Sequence, residues 1–216
     1  MKRVLREFRH DLREISGHLA AAGIIGILFV VTAYFVQVNL DRQDLPNTVT
    51  LPALEALIPS LGAYGTLMLM QTLLDTEGGE LGFTYARTPL YWGLIRQARF
   101  FGLYGAAAAL VCAAIAAIMR IPWVNLFTLT LLQGYAVMGI GFLALCATRK
   151  VSMGLVLVAA FVCLQLMLYR DLPQLNFIYS LTGMAPEGYV LDVLVPRCLA
   201  IGTFGWGIGQ LWLRPR

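Results

Sequence analysis

A chain of 216 residues that is 59% hydrophobic and only 13% charged, with a mean hydropathy of +0.73, is not a water-soluble globular domain, in which about a quarter of residues carry charge. It reads as an integral membrane protein, long enough for about six helices of roughly 20 apolar residues and leaving no length for a soluble catalytic domain. The net charge of +4 points to membrane orientation and not to nucleic acid, because the basic residues of such chains gather in cytosolic loops. The expected fold is therefore all-α: one transmembrane domain, 1–216, of six transmembrane helices preceded by an amphipathic interfacial helix.

In chain order, residues 2–17 form that interfacial helix. At 100° per residue, Val4, Leu5, Phe8, Leu12 and Ile15 share one arc, while Lys2, Arg3, Arg6, Arg9 and Arg13 occupy the other side. Such a helix lies among lipid headgroups with its cations toward anionic lipid. His10 lies within it and His18 just after it, with no acidic or cysteine partner at ligand spacing, so no metal site is expected.

Spanning runs follow at about 19–38, 52–74, 100–118, 123–147, 151–169 and 193–213. The second carries Glu55 within a turn of its start, where a carboxylate reaches water at the interface. The third is rich in alanine, which permits close helix contact. Residues 170–191 are broken by Pro173 and Pro186, too polar to span yet rich in apolar side chains, and are expected to form short re-entrant helices in the outer loop. The four cysteines, Cys112, Cys146, Cys163 and Cys198, fall inside apolar runs at unrelated spacings, as packing residues do.

Orientation follows from the basic residues. With the N-terminus inside, Lys2, Arg3, Arg6, Arg9, Arg13, Arg87, Arg96, Arg99, Arg149, Lys150, Arg214 and Arg216 are cytosolic, twelve of the sixteen Lys and Arg. Both termini are then cytosolic. Only Arg42, Arg120, Arg170 and Arg197 face out.

Several chemistries lack their parts. Lys2 and Lys150 are the only lysines and neither follows a glycine, so there is no Walker A loop to cradle nucleotide phosphates. HExxH and GxSxG are absent, and no run of acids lies in mid-membrane to relay ions. The chain is not expected to be an enzyme or to hold a cofactor or metal.

The longest polar interruption is the loop 75–99, DTEGGELGFTYARTPLYWGLIRQAR, with three acids and three arginines. Pro89, with its fixed φ and missing N–H, suits the first turn of the helix that continues into the third run. The segment before it presents Glu77, Glu80, Leu81, Phe83, Tyr85 and Arg87.

With six short-looped spans, an interfacial helix and this loop, the chain resembles the permease subunits of ABC-2 type exporters. There the comparable loop is a coupling helix reading Glu, Gly, Glu-Leu and then Thr-Pro, matched by Glu77, Gly79, Glu80, Leu81, Thr88 and Pro89. Here the interval from Glu80 to Pro89 is longer than in the pattern, Leu90-Tyr91 follows the proline, and Gly78-Gly79 replaces a glycine–threonine pair.

The resemblance implies a multi-pass protein of a bacterial cell membrane that works as a homo- or heterodimer. A separate ATP-binding cassette subunit, holding ATP and Mg, would be gripped through Glu77, Glu80, Leu81, Phe83, Tyr85 and Arg87. It implies export of hydrophobic or amphipathic cargo such as a lipid-like molecule, peptide or drug. Two other classes fit the residues: a non-transport six-helix scaffold or sensor subunit docking another cytosolic partner, and a lipid-acting membrane enzyme using Glu55 or Asp192. Small residues, including Gly23, Gly26, Gly205 and Gly209, are expected to let the first and sixth runs approach neighbouring backbones.

Overall fold

The computed structural model of the chain describes residues 50–75, 89–119, 122–172, 175–176 and 188–213, together with scattered positions between 9 and 35. Most of the expected interfacial helix 2–17 and first run 19–38, the residues 76–88 and most of the outer loop lie outside the described residues. The scattered positions between 9 and 35 are helical, and most are exposed.

The described residues are helical with no strand among them, as a chain whose backbone amides must be satisfied without water requires. Five helices carry the fold: α1 (Thr50–Leu74), α2 (Arg96–Met119), α3 (Trp123–Thr148), α4 (Val151–Asp171) and α5 (Val195–Trp212). A wider, π-helical turn precedes α2 at Tyr91–Ile95 and another precedes α5 at Val190–Leu194. With these turns included, five segments are long and apolar enough to cross a membrane: Ala53–Gln71, Tyr91–Ala117, Trp123–Thr148, Val151–Leu168 and Val190–Trp212. The protein is thus a multi-pass helical membrane protein in its described part.

Inside α1, Pro59 cannot donate to the carbonyl of Glu55, four residues back. One residue on, the Ser60 hydroxyl donates to the Ala56 carbonyl at 2.6 Å. At the far end of α3 a two-residue connection, Arg149 and Lys150, turns the chain straight into α4. Arg149 takes the left-handed conformation at φ 56°, and its N–H closes the helix on Leu145 O at 2.7 Å.

Helix α3 is the hub. It is apolar all round and packs against each of the other four helices, which is how a fully buried helix is read in a bundle. Its tightest crossing is with α5, where Gly139 meets Gly202 and Gly205: a Cβ on Gly205 would stand 2.5 Å from the carbonyl carbon and oxygen of Gly139. Beside it Trp206 stacks on Phe142 with ring centroids 5.2 Å apart, and its Nε1 donates to Tyr135 O at 3.2 Å. Gly205 and Gly209 therefore serve packing within the chain, Gly209 lying against Phe142.

Across α3 from this crossing, Tyr104 of α2 fills the space that Gly134 of α3 and Gly62 of α1 leave open. Its hydroxyl donates to Thr130 O at 3.3 Å. Leu67 of α1 enters the notch at Gly154 of α4, and Phe100 of α2 lies over Gly65 of α1. Cys112, Cys146 and Cys198 are buried, Cys163 is exposed, and all four are free thiols.

Candidate functional site

Because successive helices reverse direction, one end of the bundle collects the C-terminus of α1, the start of the 89–119 helix, the α3–α4 turn and the C-terminus of α5. Asp75 and Pro89, the chain neighbours of residues 76–88, both lie at this end. Among the side chains described, Arg96, Arg99, Arg149 and Lys150 cluster toward it, whereas Arg197 lies toward the opposite end. Four of the twelve basic residues assigned to the cytosol, Arg96, Arg99, Arg149 and Lys150, thus lie toward one end of the described helices.

Two hydrogen bonds tie the borders of 76–88 into the bundle. Asp75, the last residue before it, accepts the Val151 N–H on Oδ2 at 2.9 Å. That carboxylate satisfies one of the otherwise unpaired amides at the start of α4 and opposes the positive end of its dipole. On the other side, the Leu94 N–H donates at 3.0 Å to Oε1 of Gln210, near the end of α5. The close approach needs a glycine beside it, since a Cβ at Gly93 would collide with the Gln210 side chain. Arg99, one turn inside the helix, donates to the Tyr91 hydroxyl at 2.7 Å and lies over its ring, 5.1 Å from the centroid.

Asp75→Ala should lower the stability of the purified chain by about 1 kcal/mol, the usual loss when a helix cap is removed, while Asp75→Asn keeps an acceptor and should lose less. Thermal melting in detergent measures both. Equal melting temperatures for wild type and Asp75→Ala would show that this contact contributes nothing.

The six expected partner-binding residues, Glu77, Glu80, Leu81, Phe83, Tyr85 and Arg87, lie outside the described residues. What the structure places is their frame: Asp75 and Lys150 exposed, Leu90 and Ile95 at 50% and 41% exposure, and Arg99 and Arg149 half-buried. Among these described residues, charged and apolar side chains are mixed. No group of three His, Cys, Asp or Glu converges among the described residues to hold a metal ion.

At the opposite end Glu55 differs from its expected place at the water interface. It is 4% exposed, inside the bundle. Thr130, Gln133, Gln165 and Asn176 are buried with it in that half of the molecule. Asp192, in the turn before α5, is exposed, and Arg197 donates to Asn176 O at 2.9 Å. Amide side chains are costly in a membrane unless they face inward, and the packing of α3 and α4 turns Gln133 and Gln165 that way.

Hydropathy missed Gln210 as well. It sits near the end of an apolar run where an amide reads as an interfacial residue, and its partner is a backbone N–H, which leaves no trace in sequence. Compared with protein-family models, with curated proteins and with solved structures, the chain gives no match.

Proposed function

We propose that this chain is the permease subunit of an ATP-driven ABC-2 type exporter. It would work as a dimer in a cell membrane and move hydrophobic or amphipathic cargo out of the cytosol, with ATP and Mg handled by a separate ATP-binding subunit. The observation that carries this reading is the anchoring of both borders of residues 76–88: Asp75 to the start of α4 and Leu94 to Gln210 of α5. A lever transmits force only through contacts that stay closed under load. A loop that merely stopped two helices would need no ties to two further ones. Here a push on 76–88 reaches α1 and α2 covalently, and α4 and α5 through hydrogen bonds. In this reading Glu77, Glu80, Leu81, Phe83, Tyr85 and Arg87 fill the motor's groove, and no residue of this chain performs chemistry.

The test is co-purification of the ATP-binding subunit and transport-linked ATPase activity for Glu80→Ala and Leu81→Asp. Truncating one partner of a desolvated charged contact costs about 2–5 kcal/mol, so affinity should fall at least about thirtyfold, while a solvated loop would lose under about 1 kcal/mol. Both variants should still insert and purify. Wild-type recovery and ATPase activity in both would replace the coupling assignment with that of a scaffold docking another partner.

A further inference from the structure

Helices α1 and α2 meet along an antiparallel seam that runs from Gly62 against Tyr104, through Gly65 against Phe100, to Thr66 against Gln97. The first two contacts set a glycine under an aromatic ring. The third is polar, and it lies inside the bundle: Thr66 is 0% exposed and Gln97 1%. Nε2 of Gln97 donates to the Thr66 carbonyl oxygen over a long 3.4 Å. Two further polar atoms of this pair, Gln97 Oε1 and Thr66 Oγ1, have no hydrogen-bond partner among the described residues. We propose that the seam binds one water molecule at this level, bridging the Thr66 hydroxyl of α1 to the Gln97 amide oxygen of α2.

The chemistry of the two atoms selects the ligand. An amide oxygen only accepts, so it needs a donor, whereas a hydroxyl donates as well as accepts. A molecule that accepts from Thr66 and donates to Gln97 satisfies both, and water is the smallest that does so. A buried water needs two to four polar partners, and the seam supplies two. A bare cation is a poor occupant, because both oxygens are neutral and the residue beside Gln97, Arg96, is itself a buried cation at 6% exposure.

Thr66 also departs from what other hydroxyls of the bundle do. Ser60, Thr130 and Thr148 each donate to the carbonyl four residues back, at 2.6, 2.8 and 2.8 Å. That local bond is how a hydroxyl is satisfied within its own helix. Thr66 makes none. Gln97 complements it: with Nε2 set at the Thr66 carbonyl, the other end of the same planar amide stays beside that turn of α1. The contact is slack, since a direct N–H···O bond closes at about 2.9–3.0 Å. Two buried polar atoms on one slack contact, with no protein partner for either, are rare and call for an occupant.

The site is independent of what binds residues 76–88, so its test needs no partner protein. Water-edited solid-state NMR of the full chain in lipid bilayers reads polarisation transfer from water to individual side chains. Thr66 and Gln97 should receive it faster than Leu67 and Leu69, which are as deeply buried on the same stretch of α1 but apolar. A second arm closes a thermodynamic cycle by unfolding wild type, Thr66→Val, Gln97→Met and the double variant in mixed micelles. The bridge should couple the two positions by about fivefold in the unfolding equilibrium constant, the worth of one net hydrogen bond. The NMR comparison uses wild type alone, so it decides the question even where a variant does not fold. Transfer to Thr66 and Gln97 no faster than to Leu67, or strict additivity in the cycle, would overturn the bound water; coupling without transfer would put a direct hydroxyl–amide contact in its place.

Discussion

Gly205→Leu should leave no monodisperse protein after detergent extraction, whereas Gly207→Leu, two residues along the same helix, should be recovered at wild-type yield. The difference lies in what each new side chain meets. At Gly205 even a Cβ stands 2.5 Å from the carbonyl group of Gly139, and the obstacle is backbone that no rotamer change can move. At Gly207 there is nothing within 4 Å.

Overpacking a close-packed interior typically costs about 1–3 kcal/mol when side chains can yield. Here α3 and α5 must part, and with them the Phe142–Trp206 stack and the Trp206–Tyr135 hydrogen bond. Between apolar helices in lipid, close packing supplies the association energy that the hydrophobic effect supplies in water, so a lost crossing is not replaced by general apolar contact. Fluorescence-detected size exclusion separates the outcomes. Equal recovery of the two variants would mean that α3 and α5 do not cross through these glycines.

The second large effect is expected at Tyr104. Its ring occupies the notch of Gly134 and Gly62, so Tyr104→Ala should destabilise the bundle by about 3–5 kcal/mol, the range for deleting a large buried aromatic side chain. Gly134→Ala should also destabilise it, because the new methyl collides with the same ring. The two defects have opposite sign in volume. Tyr104→Leu combined with Gly134→Ala should therefore be more stable than Tyr104→Leu and Gly134→Ala measured singly predict, with a coupling of about 1–3 kcal/mol. Denaturation in mixed micelles measures the cycle, and strict additivity would show that ring and glycine do not meet.

Apolar runs of sufficient length are the one strong signal in such a sequence, and the five described spans overlap five of the six runs, although the one over Tyr91–Ala117 begins inside the segment 75–99 read as a loop. What hydropathy could not show is which run lies at the centre. Lipid tails are as apolar as leucine, so Leu126 and Leu145, buried in α3, look no different from Leu110 and Leu199, which face outward. Glycines gave a better guide. Gly205 was legible as a place of close approach, but its partner Gly139 was not, since spacing within one helix says nothing about the helix opposite. Glu55 was misjudged because distance from a helix end stood in for direction. The π turns escaped altogether: an extra residue in a helix changes no hydrophobic period over five residues.

The order of the helices has a consequence for biogenesis. Helix α3, the centre of the fold, is made in mid-chain, yet its most intimate partner, α5, is the last described helix to leave the ribosome. At about 5–20 residues per second, Gly139 waits on the order of ten seconds for Gly205. During that interval its bare backbone face is covered by lipid or by the insertion machinery. Assembly of this crossing is thus a step after insertion of α3, set by the arrival of α5, and a ribosome stalled before Val195 leaves a membrane-inserted chain whose hub has no lock.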